Sequence, residues 1–215
     1  TLLCRGIGDF FVRKWELREL RLELCGMGKS SAKCLADALV RCSHLSVLSI
    51  SHNPDIGDES AACVVKSLSQ RKVKQKMNIL KLCCVNASRH TSIAIAEILS
   101  LVSFSSLRDL DLRNNRIECT GASIIAKSLA SVSSSSVSRL QVRLDTNRIG
   151  DQGARSLLSA LKFRPKSLQI TLNGNETSPI LRSSLAIASK RSSAFIRKND
   201  SSIPSVPDFV VLPQI

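Results

Sequence analysis

Tyrosine is missing altogether, and the aromatics together make up only 3% of the 215 residues. Proteins that hold single-stranded nucleic acid stack its bases on aromatic rings, so a base-stacking mode has little to work with here. Histidine occurs three times, as His44, His52 and His90, at different phases of the pattern described below. No apolar run reaches the roughly 18 residues that a membrane-spanning helix requires. Cysteine occurs eight times, at positions 4, 25, 34, 42, 63, 83, 84 and 119. No two form a Cys-x-x-Cys pair, and the last 96 residues contain none, which argues against a disulfide framework or a zinc-finger set. The cysteines read instead as small buried hydrophobes in a reducing, intracellular compartment. Cys83 and Cys84 are neighbours, and neighbours on an extended strand face opposite ways. No metal and no cofactor is expected.

The chain opens Thr1-Leu2-Leu3-Cys4-Arg5, without the charged-then-apolar shape of a secretory signal. It has no initiating Met, so a processed or fragmentary chain is the expectation. Sequons begin at Asn86, Asn175 and Asn199, and in so serine-rich a chain they read as coincidence.

What is abundant is positive charge. Lys and Arg number 31 against 17 acids, a net charge of +14. A surface so basic suits an acidic partner, whether RNA phosphates or an acidic protein surface.

The second abundance is a repeat. Leu107-Arg108-Asp109-Leu110-Asp111-Leu112-Arg113-Asn114-Asn115-Arg116-Ile117 matches L-x-x-L-x-L-x-x-N-x-L at every position. Further copies carry Leu17, Leu20, Leu22 and Cys25; Leu45, Leu48, Ile50 and Asn53; Val142, Leu144 and Asn147; and Ile170, Leu172 and Asn175. A degenerate copy has Met77, Leu80 and Leu82, with Val85 where Asn or Cys belongs. That last position recurs at 25, 53, 85, 115, 147 and 175, in steps of 28, 32, 30, 32 and 28. Alternate leucines point inward from a short strand. Asn then falls where the chain turns, so that its amide satisfies stranded backbone groups and stacked copies form a ladder. Val85 cannot serve in this way, which predicts irregularity in the third repeat, with Asn86 as a substitute. Apolar residues at three- and four-residue spacing predict a helix after each strand, over Leu35–Leu39, Ala62–Leu68, Ile93–Leu99, Ile124–Leu129, Leu157–Leu161 and Leu181–Ala188. Gly28, Gly57, Gly121 and Gly153 punctuate the loops before them.

A repeat of about 30 residues with a full helix resembles the ribonuclease-inhibitor-like class of leucine-rich-repeat proteins. The resemblance runs from about Trp15 to Arg191. It implies an α/β leucine-rich-repeat solenoid, a curved horseshoe with parallel strands on the concave side and helices on the convex side. The expected organisation is a remnant or cap of a preceding repeat over residues 1–14, six repeats over 15–191, and an extended Pro-containing C-terminal arm over 192–215. Because the family binds many unrelated proteins, the likeness implies fold more firmly than function.

Gly26-Met27-Gly28-Lys29-Ser30 resembles the end of a phosphate-binding loop, but Glu23 stands where the first Gly is needed. No nucleophile-elbow motif occurs, and a solenoid offers a shallow surface rather than a deep pocket, so an enzyme is not expected. Two surfaces remain. The concave face presents Arg18, Glu19, Arg21, Glu23, Lys81, Arg108, Asp109, Asp111, Arg113, Arg143 and Asp145 as exposed strand positions, nearly balanced in charge and expected to bind a protein partner. The cationic excess gathers where helices return to strands, at Arg71, Lys72, Lys74 and Lys76, at Lys162, Arg164 and Lys166, and at Lys190, Arg191, Arg197 and Lys198. Cations complement a helix C-terminus, but four within six residues exceed that need, and this edge is expected to meet an acidic protein or RNA backbone.

The expected function is therefore that of a non-catalytic scaffold, a structural subunit of a large assembly contacting other protein subunits. The charge suits a ribonucleoprotein such as an organellar ribosome, which would place the chain in a mitochondrial or other organellar matrix. The alternatives are a cytoskeletal or axonemal subunit and a free cytoplasmic regulator.

Overall fold

The computed structural model describes residues 17–72, 75–131, 139–163 and 168–194. The expected cap at 1–14 and most of the expected arm lie outside them. Strand and helix alternate: β1 (Glu19–Arg21), α1 (Lys29–Leu39), β2 (Val47–Ser49), α2 (Gly57–Ser69), β3 (Ile79–Lys81), α3 (Arg89–Leu99), β4 (Asp109–Asp111), α4 (Glu118–Ser131), β5 (Leu140–Arg143), α5 (Asp151–Phe163), β6 (Leu168–Thr171) and α6 (Pro179–Ala194). The six strands form one parallel sheet in chain order. Every predicted helical segment falls inside an observed helix.

The register explains why a short motif suffices. Leu20, Leu48, Leu80, Leu110, Val142 and Ile170 stand opposite one another across the sheet. They enter a single core with the inward faces of the helices, and Leu48, Leu80, Leu110 and Val142 are fully buried. Each helix packs mainly on its neighbours in the chain, so stability is shared between adjacent repeats in one dimension. At about 25 cal/mol per Å² of apolar surface buried, each strand leucine contributes roughly 1.5–3 kcal/mol.

The asparagine ladder has the expected chemistry. Asn53 Nδ2 donates to the carbonyls of Leu22 (2.7 Å), Ile50 (2.9 Å) and Ser51 (3.1 Å), while its Oδ1 accepts the amides of Cys25 and Met27. Asn115 does the same for Leu82, Leu112, Val85 and Ala87, and Asn175 for Leu144, Leu172, Asn147 and Ile149. Asn147 Nδ2 donates to Leu112 and Asp145, and its Oδ1 accepts the Ile117 amide. Each amide thus serves the preceding repeat as well as its own. Asn175 is buried, so the sequon it begins is consumed by the fold.

The residue before each ladder position turns left-handed: Leu24, His52, Cys84, Asn114 and Thr146 lie at φ between 54° and 61°, and Gly174 at 66°. This conformation is ordinary for Gly or Asn and costly for the others. It recurs because the chain must leave the strand sharply.

Four expectations are corrected. The irregularity caused by Val85 falls on the second repeat rather than the third. An amide at position 85 would have served the turn of repeat two, where Pro54–Ile56 instead forms a 3-10 turn. Pro54 itself has a fixed negative φ, while Val85 is buried and held by Asn115. Asn86 is exposed and reaches only the Pro54 carbonyl, at 2.9 Å. Gly121 and Gly153 are not loop residues: they lie in the first turns of α4 and α5. A Cβ on Gly153 would come within 3.0 Å of Cys119 Cα and 2.8 Å of an Ile149 methyl, so the missing side chain sets the spacing between α4 and α5. Helix α6 continues to Ala194, so the arm does not begin at 192. Of the seven described cysteines, only Cys42 and Cys83 are buried, and Cys25 and Cys63 are exposed.

A candidate protein-binding face on the concave sheet

Alternation puts every second strand residue on the face opposite the helices. Three rows cross that face in register. The first holds Glu19, Val47, Ile79, Asp109, Gln141 and Gln169, and the second holds Arg21, Ser49, Lys81, Asp111, Arg143 and Thr171. Two residues further along lie Glu23, Ser51, Cys83, Arg113, Asp145 and Asn173.

Register decides which charges meet. Asp111 accepts three side-chain hydrogen bonds from Arg113, Nε to Oδ1 at 2.9 Å and to Oδ2 at 3.2 Å and Nη2 to Oδ2 at 2.7 Å, and the Arg113 amide at 3.1 Å. Arg143, beside it on β5, reaches Asp111 at 3.3 Å and Asp109 at 3.0 Å. These four residues form one network spanning two strands. Asp111 is only 1% exposed, which corrects its reading as an exposed contact residue. Its burial by itself would raise the carboxyl pKa. The hydrogen bonds and charge of Arg113, with the charge of Arg143, outweigh that and hold it below the usual carboxylate range. Asp109 goes the other way, because burial raises it more than Arg143 and Lys81 lower it. Its Oδ1 is buried with no hydrogen-bond partner.

Elsewhere on the face Glu19 pairs with Arg21, Glu23 accepts the Ser49 hydroxyl, and Asp145 accepts the Thr171 hydroxyl at 2.6 Å and the Asn173 amide at 2.7 Å. Arg18 and Arg108 are exposed and Lys81 is half-buried; none of the three has an ion pair among the described residues. The face is thus an anchored polar network, with the charge of Lys81 acting on Asp109 and with Arg18 and Arg108 exposed just before β1 and β4.

The basic edge is thinner than the sequence implies. Arg71 is only 5% exposed. It donates to the carbonyls of Cys42 (3.2 Å), Leu45 (2.8 Å) and Leu68 (3.2 Å), tying α2 to the preceding loop. The signal was available, since Arg71 lies three residues after the buried Leu68, as the buried Cys42 lies three after Leu39. Lys72, Lys76 and Lys162 are exposed, with Lys76 Nζ donating to Ser105 Oγ at 3.0 Å. Lys162 belongs to the last turn of α5, and Lys190 and Arg191 belong to α6, so none of these three is in a loop. Lys74, Arg164, Lys166, Arg197 and Lys198 lie outside the described residues.

One arrangement escaped sequence reasoning. Asp58, at the start of α2, caps α3 of the next repeat by accepting the amides of Ser88 (2.7 Å), Thr91 (2.9 Å) and His90 (2.9 Å). Burial pushes its pKa up, but these bonds prevail and lower it. Asp151 repeats the device on Ser178 at 2.7 Å.

Comparison with known proteins agrees with this architecture. A family model described as Leucine Rich repeat matches residues 41–65 and 105–126. The chain is 28% identical over 176 residues to the NACHT, LRR and PYD domains-containing protein 12 of Mus musculus, which covers 81% of this chain and 16% of that protein. It is 25% identical over 185 residues to the ribonuclease inhibitor of Mus musculus, covering 74% of this chain and 39% of the inhibitor. The chain therefore spans well under half the length of either relative. Among solved structures, actin-binding site 2 of leiomodin-1 superposes with a TM-score of 0.59 at 16% identity, over 76% of this chain and 90% of that one. The C-terminal domain of a Caenorhabditis elegans tropomodulin superposes with a TM-score of 0.52 at 14% identity, over 88% and 95%. Among the described residues, no helix is long and apolar enough to cross a membrane. With its six in-register strands, its asparagine ladder and these matches, the chain has the leucine-rich-repeat solenoid fold and is similar to leucine-rich-repeat proteins of the ribonuclease-inhibitor-like class.

Proposed function

We propose that this chain is a non-catalytic docking module that engages an acidic protein surface of the cytoskeleton through its concave sheet. The observation that carries the reading is the charge arrangement on that face. Asp109, Asp111, Arg113 and Arg143 lock one another in place, so they contribute shape and rigidity rather than free charge. Arg18 and Arg108 are left to meet a partner's carboxylates, and Lys72, Lys76 and Lys162 add exposed positive charge. A pre-ordered polar face loses little side-chain entropy on binding, and exposed cations speed the encounter with an acidic partner. The likeness to a leiomodin segment named for actin binding favours filamentous actin as the first partner to test. A ribonucleoprotein role in an organelle rests on net charge alone, and the scarcity of aromatic rings weakens it.

The test is co-sedimentation of the chain with filamentous actin at graded salt, with and without an excess of unstructured RNA. The expected result is saturable binding that survives RNA competition and weakens when Arg18 and Arg108 are both changed to Ser. Binding abolished by RNA, or no binding to actin alongside tight RNA binding, would replace this reading with the ribonucleoprotein one.

A further inference from the structure

We propose that His52, Cys83 and Cys84 form a binding site for a thiophilic divalent cation of the zinc class. The three potential ligand atoms lie within 4.8 Å of one another. They come from two neighbouring repeats, and the turn geometry assembles them. On a regular strand Cys83 and Cys84 would face opposite ways. At Cys84 the backbone turns to φ 54°, which abolishes the alternation and brings the sulfurs to 3.6 Å. His52 occupies the equivalent position one repeat earlier, at φ 61°, so the same turn aims its ring toward the pair.

The spacing suits a metal better than a disulfide. Two thiolates bound tetrahedrally to one zinc at about 2.3 Å stand about 3.8 Å apart, whereas a disulfide needs about 2.05 Å. The donor set, two sulfurs and one imidazole, selects a soft or borderline cation over magnesium or calcium. The backbone is already fixed: the His52 amide donates to the Cys83 carbonyl at 2.7 Å, the Cys83 amide to Ser51 Oγ at 3.1 Å, and the Cys84 amide to the Arg113 carbonyl at 3.1 Å. Asn114 Nδ2 approaches Cys83 Sγ at 3.8 Å, as an outer donor to a thiolate would. Cys83 is buried, Cys84 is half-buried and His52 is exposed, so a cation can enter from solvent. Three protein ligands leave a fourth position for water or for a side chain of a bound partner. Binding forms two metal–sulfur bonds and one metal–nitrogen bond in place of water ligands that the hydrated cation gives up to solvent, and the two thiols release their protons to solvent.

Cobalt(II) titrated into the reduced full chain is the test, because it reports thiolate ligation optically. The expected result is one equivalent bound with a strong sulfur-to-cobalt charge-transfer band and tetrahedral ligand-field bands, both removed by zinc. His52→Ala and Cys84→Ser, which change surface-reaching side chains, should each weaken binding at least about tenfold while circular dichroism stays unchanged. Cys63→Ser and Cys119→Ser should leave it intact. Cobalt binding without the thiolate band, or a band indifferent to both Cys84→Ser and His52→Ala, overturns the site. So does a mass deficit of two hydrogens localised to a Cys83–Cys84 peptide from the chain isolated without oxidant.

Discussion

Asn115 holds Val85 in place across 30 residues of chain: its Oδ1 accepts the Val85 amide at 3.1 Å, and its Nδ2 donates to the Leu82 carbonyl at 2.7 Å. A repeat whose own ladder position lacks an amide is therefore completed by the next, as Asn53 also does for Cys25. Asn115→Ala would strand these buried groups together with the Ala87 amide, while Leu112 O keeps its bond from Asn147, at a cost of about 1–3 kcal/mol. Asn86→Gly removes a single exposed bond, keeps a residue that tolerates the positive φ of 57° at this position, and should change stability by less than about 0.5 kcal/mol. Denaturant melts should show a clear drop in midpoint for the first and almost none for the second.

Arg71 and Lys72 are adjacent cations with opposite roles. Arg71→Met should destabilise the chain by about 1–3 kcal/mol, because the Cys42 and Leu45 carbonyls lose their donor. Lys72→Met, at an exposed position, should stay within about 0.5 kcal/mol. Equal thermal midpoints for the two variants would return Arg71 to the surface edge.

The concave carboxylates set an acid limit with a definite sign. Asp111 titrates below its unfolded value of 3.8. Its contribution is therefore fully present above that value and fades as pH falls through the lower folded pKa. Asp109 is raised, so ionising it opposes folding, and its favourable contribution belongs to the acid side. Asp111→Asn should cost about 1–3 kcal/mol near neutrality, with the gap to the unmodified chain narrowing in acid. Asp109→Asn should cost much less at neutral pH. Urea melts across pH 2–7 give the comparison.

Gly153 fixes the approach of α4 and α5. Gly153→Ala places a methyl against backbone and two side chains, and overpacking of this kind costs about 1–3 kcal/mol. Gly28→Ala, which meets nothing within 4 Å, is the control, and thermal melts of the two should separate clearly.

The sequence alone determined the solenoid: six strand segments, their parallel order, the helix after each, and the amide ladder. The segments, the helices and the ladder follow from local periodicity, because every repeat obeys the same backbone rules and buries the same positions, while the parallel order follows from the resemblance to the leucine-rich-repeat class. Tertiary structure decided the chemistry of particular side chains. Asp111 is buried because Arg113 and Arg143 enclose it from its own strand and the next, a pairing that depends on register across 32 residues. Arg71 became a core donor because its place in the repeat is interior, which its charge alone does not reveal. Cys83, Cys84 and His52 converge because a left-handed turn breaks strand alternation in two consecutive repeats. Residues about one repeat apart in the chain become touching neighbours in the stack, and that adjacency, with the sign of φ at the turn, is a property of the assembled solenoid.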